Sequence, residues 1–137
     1  MYRKMLLSGL ISCMLAVVLG AFGAHVLKSI LTSTQLQTFE TGVRYQLIHG
    51  LALISLSLFT IHFENKIAAQ KSLRWVCNLF IIGTILFSGS LYTLTLFSNT
   101  NFSLIRIIGP LTPLGGLCFM MGWFFWIRVV FLFKVDK

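Results

Sequence analysis

Apolar residues fall in four long runs, 5–27, 43–63, 75–97 and 111–127, separated by short segments that hold most of the charge. The run 75–97 has no charged residue, and 45–63 has none apart from two histidines. A helix in a small water-soluble globule needs a polar face, and these runs are too apolar and too long for that. At about 1.5 Å of rise per residue, each is long enough to cross the roughly 30 Å hydrocarbon core of a bilayer. Apolar residues resume after Arg128, which places the fourth span at about 111–133. The pattern predicts one domain over residues 1–137, an all-α integral membrane four-helix bundle.

The connections 28–42, 64–74 and 98–110 are too short to fold as domains, so any activity belongs to the bundle or its rim. Thr34 is a candidate N-cap, and Leu36, Phe39 and Val43 recur at helical spacing behind it. This predicts a short interfacial helix over about 34–42 that leads into the second span. Glu40 and Arg44, four apart, form a candidate rim ion pair, worth a few tenths of a kcal/mol. At the start of the fourth span Thr112 can cap, Pro113 suits the first helical position, and Gly115 and Gly116 follow. No internal repeat supports an inverted-repeat transporter.

The chain is 57% hydrophobic and 10% charged, with a formal net charge of +8. Such a charge can signal nucleic-acid binding, but here the cations sit at the span ends. Arg3, Lys4, Lys66, Lys71, Arg74, Arg128, Lys134 and Lys137 lie on one side, against Lys28, Arg44 and Arg106 on the other. The positive-inside rule then predicts cytoplasmic N and C termini, with the lipid bilayer as partner and no nucleic acid. Trp75, Trp123 and Trp126 fit an aromatic belt on that same side. Arg3-Lys4, an apolar run and Ala21-Phe22-Gly23 resemble a secretion signal, but the run continues to Leu27, and no cleavage is expected.

Candidate chemistry is sparse. Ser8, Ser12, Ala16, Gly20 and Ala24 form a small-xxx-small helix-packing series, directed at another span of this chain or at a second subunit. Gly42, Tyr45, Gln46 and His49 share one sector of the second span, with Leu53 below, while Glu40 and Arg44 point the opposite way. With both termini inside, His25, Tyr45, Gln46, His49, Ser88, Ser90, Tyr92 and Thr112 all fall in the outer half and form a candidate polar cluster. The only acids are Glu40, Glu64 and Asp136, at rims or tail, and no catalytic motif is present, so no enzyme activity is expected. Cys13, Cys77 and Cys118 lack metal-ligand spacing, which argues against disulfides and zinc, and neither a metal nor a cofactor is expected.

Several blocks carry a family resemblance: Gly20-Ala21-Phe22-Gly23-Ala24-His25, the segment GVRYQLIHGLAL at 42–53, Phe87-Ser88-Gly89-Ser90-Leu91-Tyr92, and Gly109-Pro110-Leu111-Thr112-Pro113-Leu114-Gly115-Gly116. In that order the chain resembles the small membrane family called domain of unknown function 423. That family takes in YgdD- and YwdK-like bacterial inner-membrane proteins and a small vertebrate transmembrane relative. The resemblance implies a four-helix multi-pass protein of the bacterial plasma membrane and brings no activity, substrate or cofactor. Its signature positions are matched by His25, Tyr45, Gln46, His49, Ser88, Gly89, Tyr92, Thr112, Pro113 and Gly116. The expectation is a structural or accessory protein, possible as a homo-oligomer or with a membrane-protein partner. The alternatives are a small-solute or proton transporter using the polar cluster, and, further off, a haem or metal site on His25 and His49.

Overall fold

The apolar runs form α1 (Tyr2–His25), α2 (Ser33–Ile61), α3 (Ile67–Phe97) and α4 (Leu111–Leu132), with a 3-10 turn at Leu27–Ser29. The computed structural model describes residues 1–61, 67–97, 106 and 108–132, and among them there is no strand. All four helices are long and apolar enough to cross a membrane. At 1.5 Å per residue, α2 and α3 are roughly 44 and 46 Å long, so their ends extend past the hydrocarbon layer.

The segment 34–42, expected as an interfacial helix, is the opening of α2 and runs unbroken into the span. Its cap is Thr32 rather than Thr34. Thr32 Oγ1 accepts from the Gln35 backbone N–H at 3.3 Å, and the Thr32 N–H donates to Gln35 Oε1 at 2.9 Å. This reciprocal capping box satisfies donors that a helix start would leave orphaned. At the other predicted start, Thr112 lies inside α4, and its hydroxyl meets Ser90 across the bundle instead of capping.

The extensive interfaces join α1 to α2, α2 to α3 and α3 to α4. Lipid is as apolar as leucine, so close packing and interhelical hydrogen bonds must hold these helices together. The α1–α2 crossing is at Gly9 and Gly50. A Cβ on Gly9 would stand 2.7 Å from the Gly50 carbonyl oxygen, and one on Gly50 would stand 2.7 Å from Cys13 Sγ. Between α3 and α4, phenylalanines fill glycine notches in both directions. Phe119 lies against Gly83 and Phe80 against Gly122, where an added Cβ would come within 2.6 and 2.5 Å of the ring.

The predicted packing series meets α2 only in its middle. Ser12 bonds to Gln46, Ala16 is buried, and Gly20 approaches Val43. Ser8 instead lines a crevice toward α3, and Ala24 is exposed. The middle of this face therefore packs on a helix of the same chain. Below it, Met5 joins Leu53, Leu56, Leu73, Phe80 and Val129 in the main apolar core.

Candidate functional site

Gln46 is 6% exposed and holds three helices together. Its Nε2 donates to the Ser12 carbonyl at 3.1 Å, while Ser12 Oγ donates back to the Gln46 carbonyl at 3.2 Å. Its Oε1 accepts the Tyr92 hydroxyl at 2.8 Å. Tyr92 can reach it because α2 carries a glycine there: a Cβ on Gly42 would stand 2.7 Å from Tyr92 Cε1. Beside this contact Ser88 Oγ donates to the Gly42 carbonyl at 2.8 Å. Phe39 packs against Tyr92 with the rings tilted and their centroids 4.9 Å apart.

His49, about 60° around α2 from Gln46, faces α4. Its ring stacks on Phe119 with centroids 3.4 Å apart and planes 10° from parallel. Nδ1 lies 2.9 Å from the Tyr45 carbonyl oxygen, which can only accept. The Trp123 indole N–H, which can only donate, reaches Nε2 at 3.3 Å. These partners are satisfied together by one form of the ring, the neutral imidazole with its proton on Nδ1. Both nitrogens are engaged, and the residue is 3% exposed, so no ring atom is left to bind a metal or haem iron.

The eight residues of the expected cluster therefore do not share one chamber. Gln46 and Tyr92 form one link, Ser88 reaches a backbone carbonyl, and Ser90 Oγ pairs with Thr112 Oγ1 at 2.7 Å between α3 and α4. His49 makes a separate link, and Tyr45 contributes its carbonyl to His49 while its ring lies 4.5 Å from that of Phe87. His25 stands exposed at the end of α1, apart from all of these. Glu40 and Arg44 are both exposed, and among the described residues no ion pair joins them. Among the described residues no three His, Cys, Asp or Glu side chains come together. The three cysteines are free.

One space does adjoin this region. A crevice of about 460 Å³ opens between α1 and α3, with Ser8, Ser12, Gln46, Thr84, Gly89 and Tyr92 on its walls. Ser12 and Trp123 are the partners that the sequence reading left out of the cluster. Trp123 was expected in the interfacial belt, yet it lies only about two residues from the centre of α4. An indole N–H at that depth must find an acceptor, which was the available signal. Trp75, 60% exposed near the start of α3, keeps a belt position.

Comparison with known proteins places the sequence in a family. The profile described as "Protein of unknown function (DUF423)" matches residues 19–116. The chain belongs to the DUF423 family. Three DUF423-like relatives show the extent of the similarity. UPF0382 membrane protein SSP2132 of Staphylococcus saprophyticus is 36% identical over 97% of this chain and 99% of its own. UPF0382 membrane protein YwdK of Bacillus subtilis is 38% identical over 88% of this chain and 90% of its own. UPF0382 inner membrane protein YgdD of Escherichia coli K12 is 37% identical over 88% of this chain and 84% of its own. No solved structure matches the chain. With four membrane-length helices and inner-membrane relatives, this DUF423 chain is a multi-pass protein of the bacterial inner membrane.

Proposed function

We propose that this is a non-enzymatic structural or accessory membrane protein, with both termini in the cytoplasm. Its buried polar groups join helices rather than act on a substrate. The observation that supports this reading is the pairing itself: Gln46 with Ser12 and Tyr92, Ser90 with Thr112, and His49 with Trp123, each at a different interface. Interhelical bonds of this kind are worth about 0.6 kcal/mol each, which suits a bundle that lacks a hydrophobic drive between helices. An accessory role calls for another membrane protein or a second copy as partner, to be read by cross-linking in native membranes.

The test is purified protein in liposomes. On this reading His49→Ala lowers the resistance to unfolding, and neither wild type nor variant moves protons or small solutes at any pH tried. A flux carried by the wild type and lost in a folded His49→Ala protein overturns it.

The crevice between α1 and α3 favours a second reading, a small-solute or proton pathway. Its volume is within the range of small-molecule sites, and Gln46, Tyr92, Ser8, Ser12 and Thr84 bring polar atoms to a mostly apolar wall. Here Gln46→Leu, not His49→Ala, is the variant that abolishes flux with the helices intact.

A further inference from the structure

We propose that the groove between α3 and α4, at the end of the bundle carrying Met1, seats an anionic phospholipid. Its phosphate lies on Arg128 and one acyl chain runs along the groove. The space measures about 460 Å³ and is lined by Trp75, Leu79, Met121, Phe125 and Arg128, among others. The two helices run antiparallel, so Trp75 and Arg128 are at the mouth while Leu79 and Met121 lie deeper. From Arg128 to Met121 the wall descends about 10 Å by helical rise. A cation and an indole above a purely apolar slot match a lipid that is charged at one end and hydrocarbon below.

Charge decides the kind of lipid. Arg3, Lys4, Lys71, Arg74 and Arg128 are all exposed at this end. The one acid among the described residues, Glu40, is near the start of α2, at the far end. Glu64 and Asp136 lie outside the described residues; their sequence positions put them at the Met1 end, where eight Lys and Arg outnumber them. The field at the mouth is thus positive, which favours an anionic head group over a zwitterionic one. It also disfavours a second copy of this face, which would set like charges against each other. Arg74 supplies an internal control, because it lines a different cavity with Lys4 and Asn78, toward α1.

The proposal is independent of whether the bundle conducts anything. It is tested with the full chain in neutral detergent, titrated with dioleoyl phosphatidylglycerol and followed by native mass spectrometry. The wild type is expected to retain this lipid over dioleoyl phosphatidylcholine, and Arg128→Gln to lower its retention about fivefold, as loss of one lipid-facing cation should. Arg74→Gln is expected to retain it, and Met121→Trp, which narrows the slot at a lipid-facing position, to lose it with unchanged helix content. Equal losses in the two arginine variants would mean diffuse surface charge and overturn the seat. So would equal retention of phosphatidylcholine, an unaffected Met121→Trp, or binding of inorganic phosphate with the same dependence on Arg128.

Discussion

The Trp123 indole donates to His49 Nε2 at 3.3 Å, and this bond ties the middle of α4 to the middle of α2. Removing either partner leaves the other's polar atom without its bond in apolar surroundings. Trp123→Phe leaves an imidazole lone pair without a donor, and His49→Ala also removes the stacked face of Phe119. His49→Ala is expected to cost about 2–4 kcal/mol, in the range of large-to-small core changes. A double-mutant cycle read by unfolding in mixed micelles should give a coupling of about 0.6 kcal/mol or more. Strictly additive effects would show that the bond carries no weight.

Gln46 is the polar residue with most to lose. Gln46→Leu leaves the Tyr92 hydroxyl without its acceptor and breaks the reciprocal contact with Ser12. A destabilisation of about 1–3 kcal/mol is expected, against about 1 kcal/mol for Tyr92→Phe, which takes away only one bond. The same unfolding measurement ranks the two, and a milder Gln46→Leu would reverse the order.

Adjacent glycines at the start of α4 should behave differently. A Cβ on Gly115 would stand 2.5 Å from the Phe87 backbone nitrogen, whereas one on Gly116 would be 3.9 Å from the Phe87 ring. Gly115→Ala must force α3 and α4 apart and is expected to cost about 1–3 kcal/mol. Gly116→Ala should be tolerated or stabilise by up to about 1 kcal/mol through the gain in helix preference. Thermal unfolding of the two variants side by side checks this.

At the α1–α2 crossing, Gly50→Val pushes into Cys13. The expected result is a displaced α1, seen as faster reaction of Cys13 with a small membrane-permeant maleimide. Gly89→Ala, where an added Cβ meets nothing within 4 Å, is the matched substitution that should leave the rate unchanged.

Topology is open to direct labelling. In a background without native cysteines, Tyr2→Cys is expected to be shielded from an impermeant reagent in intact cells, and Thr34→Cys to be labelled. The opposite pattern would place the cation-rich end outside and remove the basis for calling the Gln46–Tyr92 level the outer half.

The four helices were legible because lipid imposes one requirement, a long apolar run, that sequence displays directly. Details governed by geometry were less so. The start of α2 was read two residues late, since Thr32, Ser33 and Thr34 all suit a cap. A start at Thr32 puts Leu31 and Leu36 at the hydrophobic-staple positions, whereas a start at Thr34 would put Ser33 and Thr38 there. The small-residue series failed at its ends for another reason. Each step of four residues advances about 40° around the helix, so Ser8 and Ala24 are separated by about 160°. One straight partner touches only the middle of such a series, and the stripe that is buried passes through Gly9 and Gly23 instead. The candidate cluster was not resolved into links, because sequence position gives only a level along each helix while direction depends on which neighbour each helix finds. Trp123 was missed on the same account: a belt and an interhelical donor use the same residue type.

Because the broad contacts join each helix to the next one in the chain, every interface can form as soon as its second member leaves the translocon. The capped turn between α1 and α2 brings Gly9 to Gly50 before α3 is made, and α3 then offers Tyr92 to Gly42. Assembly can therefore keep pace with the ribosome, and only the links to α4, such as His49 with Trp123, wait for the last helix.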